Sequence, residues 1–183
     1  MATTPIALPW KDDPPCLENR RVADLRLCLL KKRLLKDRDL LTKYKACIED
    51  LIQKGYAEKA PPTEIKGKAW YLPHQAVFHP AKSEKIHVVF GCCAKYRGNS
   101  LNDKLLQGPD ITNSLVGVLT CFRQESVAMM SDVKAMFHKV NVNPEDCNAL
   151  RFLWWPNGDL ASQPEELMMT VHLFGGVDRK SVV

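Results

Sequence analysis

Met129-Met130-Ser131-Asp132-Val133-Lys134-Ala135-Met136-Phe137-His138-Lys139-Val140 is the stretch on which the fold turns. An apolar run, Val127 to Met130, delivers a single carboxylate at Asp132. Apolar runs of this length between polar flanks are typical of buried strands. A carboxylate at the end of such a strand is held by fixed backbone, where a hard divalent cation can reach it. Phe137 follows about one helical turn later and is placed to wall a pocket beside that cation. The bland alternative is a buried strand that ends in a solvated aspartate. If the run is a strand, the chain combines helices with antiparallel hairpins.

Working outward, the elements on both sides support that class. Residues 1–16 carry Pro5, Pro9, Pro14 and Pro15, which predicts an extended arm. From Leu17 to Lys36 the pattern is helical, with Val22, Leu25, Leu29 and Leu30 on one face. Asp37 is placed to cap a second helix, whose apolar face is Leu40, Leu41, Tyr44, Ile48, Leu51 and Ile52, and Gly55 is placed to end it. Pro61-Pro62 then breaks the chain. Ala69 to His79 reads as a strand that Pro73 confines to an edge or bulge. Pro80 to Glu84 supplies a turn, and Lys85-Ile86-His87-Val88-Val89-Phe90 returns as its partner. This hairpin carries Lys82 and Lys85 near its tip.

Residues 91–109 read mostly as loop. Thr112 is placed to cap a helix with Leu115, Val116, Leu119 and Phe122 facing the core. After the Asp132 segment, Pro144-Glu145-Asp146 marks a short helix start. Arg151 to Trp155 and Leu167 to Phe174 read as paired strands across Pro156-Asn157-Gly158-Asp159, because Asn-Gly favours tight hairpin turns. The predicted class is α+β with no internal repeat.

Composition narrows the setting. The chain has 183 residues, enough for one domain with a real core. No window approaches the roughly 18 apolar residues of a membrane span. The N-terminus lacks the basic start and apolar core of a signal peptide, so an intracellular site, cytoplasmic or nuclear, is expected. The seven cysteines are irregularly spaced and include no CxxC pair, which favours neither a disulfide framework nor a zinc site. Cys28, Cys47 and Cys121 are expected in the core. His74 with His79, and His138 with His172, match no metal-ligand spacing and are expected to be structural.

The net charge is +5, and its distribution is uneven. Arg20-Arg21, Arg26, Lys31-Lys32-Arg33, Lys36 and Arg38 crowd one segment. They form either a solvated helix face or a surface for a phosphate backbone.

Several short segments, in order, resemble the reverse transcriptase of long-terminal-repeat retrotransposons, most closely the BEL/Pao group. They are Leu8-Pro9-Trp10-Lys11, Lys54-Gly55-Tyr56-Ala57-Glu58-Lys59, Trp70-Tyr71-Leu72-Pro73-His74, Val77-Phe78-His79-Pro80, Lys85 to Phe90, Ser100-Leu101-Asn102-Asp103, Leu106-Gln107-Gly108-Pro109, Asp132 to Val140, Leu150 to Pro156, and Thr170-Val171-His172-Leu173-Phe174-Gly175. The resemblance covers residues 8–175. It implies a right-hand polymerase: an arm (1–16), helices and fingers hairpin (17–111), a partial palm with the first catalytic strand (112–175) and a divergent tail (176–183).

The resemblance implies an RNA-directed DNA polymerase. Asp132 and the Val133 carbonyl would bind two Mg²⁺ ions, Phe137 would exclude a 2′-hydroxyl, and Lys82, Lys85 and His87 would lie near the nucleotide phosphates. The implied partners are an RNA or DNA primer–template and a deoxynucleoside triphosphate, with no membrane. Three departures stand out. His87 replaces a usual arginine, Gly91 a usual aspartate, and His138-Lys139 the commoner His-Gln. No Asp-Asp pair follows Asp132, so the resemblance implies a palm truncated before its second catalytic strand. Two-metal catalysis draws carboxylates from both strands, which predicts a fragment inactive alone. The other expectations are a non-catalytic nucleic-acid-binding remnant, or the product of a decayed element with no selected activity.

Overall fold

Asn19 starts the first helix in an unusual way. Its side chain caps nothing; the amide pairs with backbone, donating to the Tyr71 carbonyl and accepting from the Tyr71 N–H, both at 2.7 Å. A side-chain amide thus extends the parallel pairing of β1 (Leu17–Glu18) with β3 (Lys68–Ala69). The computed structural model describes residues 4–12, 17–62, 68–79, 82–107, 113–124 and 126–176. Thr112, Pro80 and the tail from 177 lie outside the described residues, as do the side chains of Lys82 and His79.

Helix α1 (Arg20–Lys36) buries Ala23, Leu27, Leu30 and Leu34. Of the expected face only Leu30 is buried; Leu25 and Leu29 are about 60% exposed. The reason is that α1 carries apolar side chains on nearly every side, so spacing alone cannot choose a face. Packing against α2 and the sheet chooses it. Asp37 ends α1 and caps α2 (Arg38–Gln53), accepting from the Leu40 N–H at 2.9 Å. Leu40, Tyr44 and Ile48 are buried as expected. Gly55, at φ +70°, closes the helix: its N–H meets the Ile52 carbonyl and the Tyr56 N–H meets that of Leu51. This paired closure needs a left-handed residue, which glycine supplies without a Cβ clash.

The chain continues through β2 (Ala57–Lys59) and β3 to the hairpin of β4 (His74–His79) and β5 (Lys82–Phe90). Gln75 pairs with Val89 and Val77 with His87. The stretch after β5 is mostly loop, as expected, with the short helix α3 (Leu101–Lys104) inside it. Ser100 and Asp103 form a reciprocal capping box there, a local signal present in the sequence. Next come α4 (Leu115–Phe122), β6 (Arg151–Trp154) and β7 (Glu165–Met169). β6 and β7 pair antiparallel, with Phe152 opposite Leu167; the pairing is as expected, but β7 spans Glu165–Met169 rather than Leu167 to Phe174, and residues 155–164 join the two strands in place of a tight Asn-Gly turn. β2 adds a third strand beside β7, with Ala57 opposite Met169. The class is α+β.

The core lies where α1, α2, the hairpin and the three-stranded sheet meet. Tyr44 stacks on Trp154 with ring centroids 5.1 Å apart. His74 sits among Tyr44, Phe90, Phe152 and Trp154. Its Nε2 lies 2.8 Å from the Leu153 carbonyl, which can only accept, so Nε2 carries the proton. Nδ1 then accepts from the Tyr44 hydroxyl at 2.5 Å. Burial pushes His74 down to about 4 and keeps it neutral, outweighing the hydrogen bond to Leu153. The described part of the N-terminal arm, residues 4–12, is docked: Asp146 accepts from the Leu8 N–H and the Trp10 indole N–H, both at 2.8 Å.

Two expectations fail between α3 and β6. Helix α4 forms, but none of its residues is buried; Leu115 and Val116 are more than 70% exposed. The predicted buried strand before Asp132 does not form. Residues 127–133 are exposed and have no strand partner among the described elements, with Met129 and Met130 above 90% exposure. An apolar run becomes a buried strand only when a neighbouring strand satisfies its backbone and a second layer covers its side chains. Among the expected core cysteines, Cys28 and Cys121 are exposed and Cys47 is half-buried; Cys92 and Cys147 are buried instead.

Candidate functional site

Strand alternation places Lys85 and His87 on the solvent face of β5, while Ile86 and Phe90 point inward. His87 stands opposite Val77 in the hairpin register. Lys82 opens the same strand. The hairpin therefore holds three of the predicted nucleotide-contacting positions on one strand. Gly91, directly after β5, donates its N–H to the Pro73 carbonyl at 2.7 Å.

Asp132 is placed differently. It stands exposed on the unpaired segment, as does Val133 at 60% exposure. Ala135 takes a left-handed conformation (φ 55°), and the chain then enters a 3₁₀ turn at Met136–Lys139. This turn is anchored through Phe137, whose ring meets Phe174 edge-on at 5.4 Å, and through His138, whose ring lies 4.9 Å from Tyr56. Burial lowers the pKa of His138, helped by the charge of Lys54. Phe137 is thus tied to the segment after β7.

Magnesium makes a definite demand on this segment. It prefers near-octahedral oxygen ligation, usually with one or two carboxylates plus phosphates and water. The arrangement offers one solvated carboxylate and one backbone carbonyl on a stretch that no strand braces. Among the described residues no three His, Cys, Asp or Glu side chains come together as metal ligands. As placed, these residues do not fit a pair of magnesium ions.

Cationic surface is better developed. Arg21, Arg26, Lys32, Arg33, Lys36 and Arg38 are all exposed on or beside α1. The one acidic residue of α1, Asp24, pairs with Arg20 at 3.3 Å. Arg33 reaches toward the hairpin and lies 5.9 Å from the ring centroid of Phe78.

The most developed polar cluster is one that sequence reasoning missed. Arg151 is 1% exposed. It donates to Glu166 at 2.7 Å, to Asn148 at 2.7 and 3.1 Å, and to the Pro61 carbonyl at 3.1 Å. Glu166 also accepts from the Tyr71 hydroxyl at 2.9 Å and pairs with Arg20. Burial pushes the Glu166 carboxyl up, but the bonds from Arg20, Arg151 and Tyr71 outweigh it and hold the group below its usual range. This network joins α1, β6 and β7. The signal was an arginine heading the apolar run Phe152 to Trp155, since a charge inside such a run is buried only when paired.

No family model matches the chain, and no curated protein matches it. In the described residues, no helix is long and apolar enough to cross a membrane.

Proposed function

We propose that the chain is the fingers and first palm segment of a retrotransposon-type reverse transcriptase, and that alone it holds nucleic acid without catalysing nucleotidyl transfer. The observation that carries the binding half is the exposed cationic face of α1 beside a hairpin that presents Lys85. The ordered motifs from Leu8 to Gly175 support the family, and the antiparallel hairpin agrees with a fingers element. The solvated, unbraced position of Asp132 supports the absence of catalysis, since phosphoryl transfer relies on preorganised charge.

The test is primer extension with purified protein, RNA template and Mg²⁺, beside Asp132→Asn and a binding titration over salt. The expected result is no extension, with binding that weakens steeply as salt rises. Extension that disappears in Asp132→Asn overturns the non-catalytic half. Salt-independent binding overturns the backbone-holding half. The exposed apolar faces of α4 and residues 127–133 favour a second reading, a decayed-element product with no selected activity. It predicts silence in both assays.

A further inference from the structure

We propose that the groove between α1 and the base of the β4–β5 hairpin binds a phosphate ester with an apolar body, of the size of a nucleotide. The groove has a volume of about 330 Å³. That falls within the range of small-ligand sites, roughly 300–1,000 Å³. Arg26 and Arg33 line it, and both are exposed. Seven residues apart, they share one helix face and span about 10.5 Å of its axis. Among the described residues no carboxylate lines the groove, and Asp24, the acidic residue of α1, is engaged by Arg20.

Leu29, Leu30, Pro73, Val89 and Ala94 give the groove an apolar floor, and His74 and Gln75 are its uncharged polar members. Leu29 is 59% exposed, and Pro73 and Val89 are half-buried. Gly91 lets this wall pack closely against Pro73. A Cβ there would meet the Pro73 carbonyl oxygen at 3.3 Å and its Cγ at 3.4 Å. Guanidinium forks match phosphate oxygens in pairs, whereas the apolar floor gains only from a body that covers it. Inorganic phosphate leaves the floor wet, and an uncharged apolar molecule leaves both guanidiniums unused. A phosphate ester satisfies both. A free mononucleotide and the 5′-end of a strand carry the same group.

This groove is separate from the described positions proposed above: none of Lys85, His87, Asp132, Val133 and Phe137 lines it. It requires no polymerase chemistry.

The experiment titrates the intact chain into ribose-labelled adenosine monophosphate and reads fluorescence anisotropy. Competitors are unlabelled adenosine monophosphate, adenosine, inorganic phosphate, single strands with 5′-phosphate or 5′-hydroxyl, and an acidic peptide. Adenosine monophosphate is expected to compete at least about ten-fold better than adenosine or phosphate, the effect of one added charge-assisted contact. Arg26→Gln with Arg33→Gln should weaken binding by roughly ten-fold or more. Arg21→Gln with Lys32→Gln removes the same charge from solvent-facing positions outside the groove and should change binding less than about two-fold in physiological salt. All four side chains project from the core or its margin into solvent, and thermal melts check that both variants fold.

Preference for the 5′-phosphorylated strand over the mononucleotide supports the proposal and assigns the ligand to a strand end. Equal losses in the two variants, phosphate competing as well as the ester, no binding at all, or the acidic peptide competing best would each overturn it. Binding of a long duplex, measured on the same variants, separates the two proposals. Duplex binding without the mononucleotide sinks the groove alone; the reverse sinks the backbone-holding function alone.

Discussion

Leu153 and Met130 both sit in apolar runs that read as buried strands, yet Leu153 is 2% exposed and Met130 is 92% exposed. Around Leu153, β6 pairs with β7, α1 packs against it, and Arg151 ties its start to Glu166. Around Met130 no described strand pairs and no layer covers the side chains. The difference teaches that an apolar run is an offer of burial and that its neighbours decide the outcome. It also separates the two parts of the proposed function, since the basic surface stands on the braced region and Asp132 on the unbraced one.

The comparison breaks most readily at a matched pair. Leu153→Ala should cost roughly 2–5 kcal/mol as a core truncation. Met130→Ala should stay within about 0.5 kcal/mol, as expected for a side chain with nothing to lose. A comparable loss at Met130 would mean that its segment is buried in solution.

Arg151 sharpens it further. Arg151→Ala removes a buried guanidinium and its bonds to the half-buried Glu166 and Asn148, while Glu166 keeps Arg20 and Tyr71, and it should cost about 2–3 kcal/mol. Urea unfolding measures it; a loss under 1 kcal/mol, on the scale of an exposed ion pair, would show that the network is not what braces β6.

The pH dependence comes next. His74 is held neutral, with its pKa lowered to about 4 from an ordinary 6.5. The unfolded chain therefore binds more protons between those values. Stability is complete above pH 6.5 and falls as pH drops toward 4, by up to about 3 kcal/mol. His138 and His172, also lowered by burial, act with the same sign. Melting temperatures between pH 7 and pH 4 should show this fall, and His74→Gln should make it shallower. An unchanged slope in that variant would remove His74 from the account.

The smallest effect is at Asp37. Asp37→Ala removes the cap of α2 and should cost about 1 kcal/mol. A larger loss would show that the junction of the two helices carries tertiary load as well.

Asp37, Gly55 and the Ser100–Asp103 box show what kind of information was legible. Each acts through hydrogen bonds within a few residues, so each is legible without knowing what packs nearby. The β4–β5 hairpin was legible for the same reason. The inward face of α1 was not, because Leu25 and Leu29 keep helical spacing as well as Leu27 and Leu34 do. The Arg151 network was also out of reach. Its partners at residues 20, 61, 71, 148 and 166 meet only once the chain has folded. In the candidate site, the placement of Lys85 and His87 on one strand face followed from period two, whereas the position of Asp132 depended on strands that could not be read from its own neighbours.

Local order, then, was settled by the amino-acid sequence itself: where helices stop, where the hairpin folds back, and that the chain mixes helices with antiparallel strands. Hydrogen bonds and backbone preferences within one or two turns are enough to set those features. Which apolar runs are buried, which arginines are enclosed and which stay exposed were decided only by the tertiary structure. Burial is a relation between segments distant along the chain, and its free energy exists only once they meet.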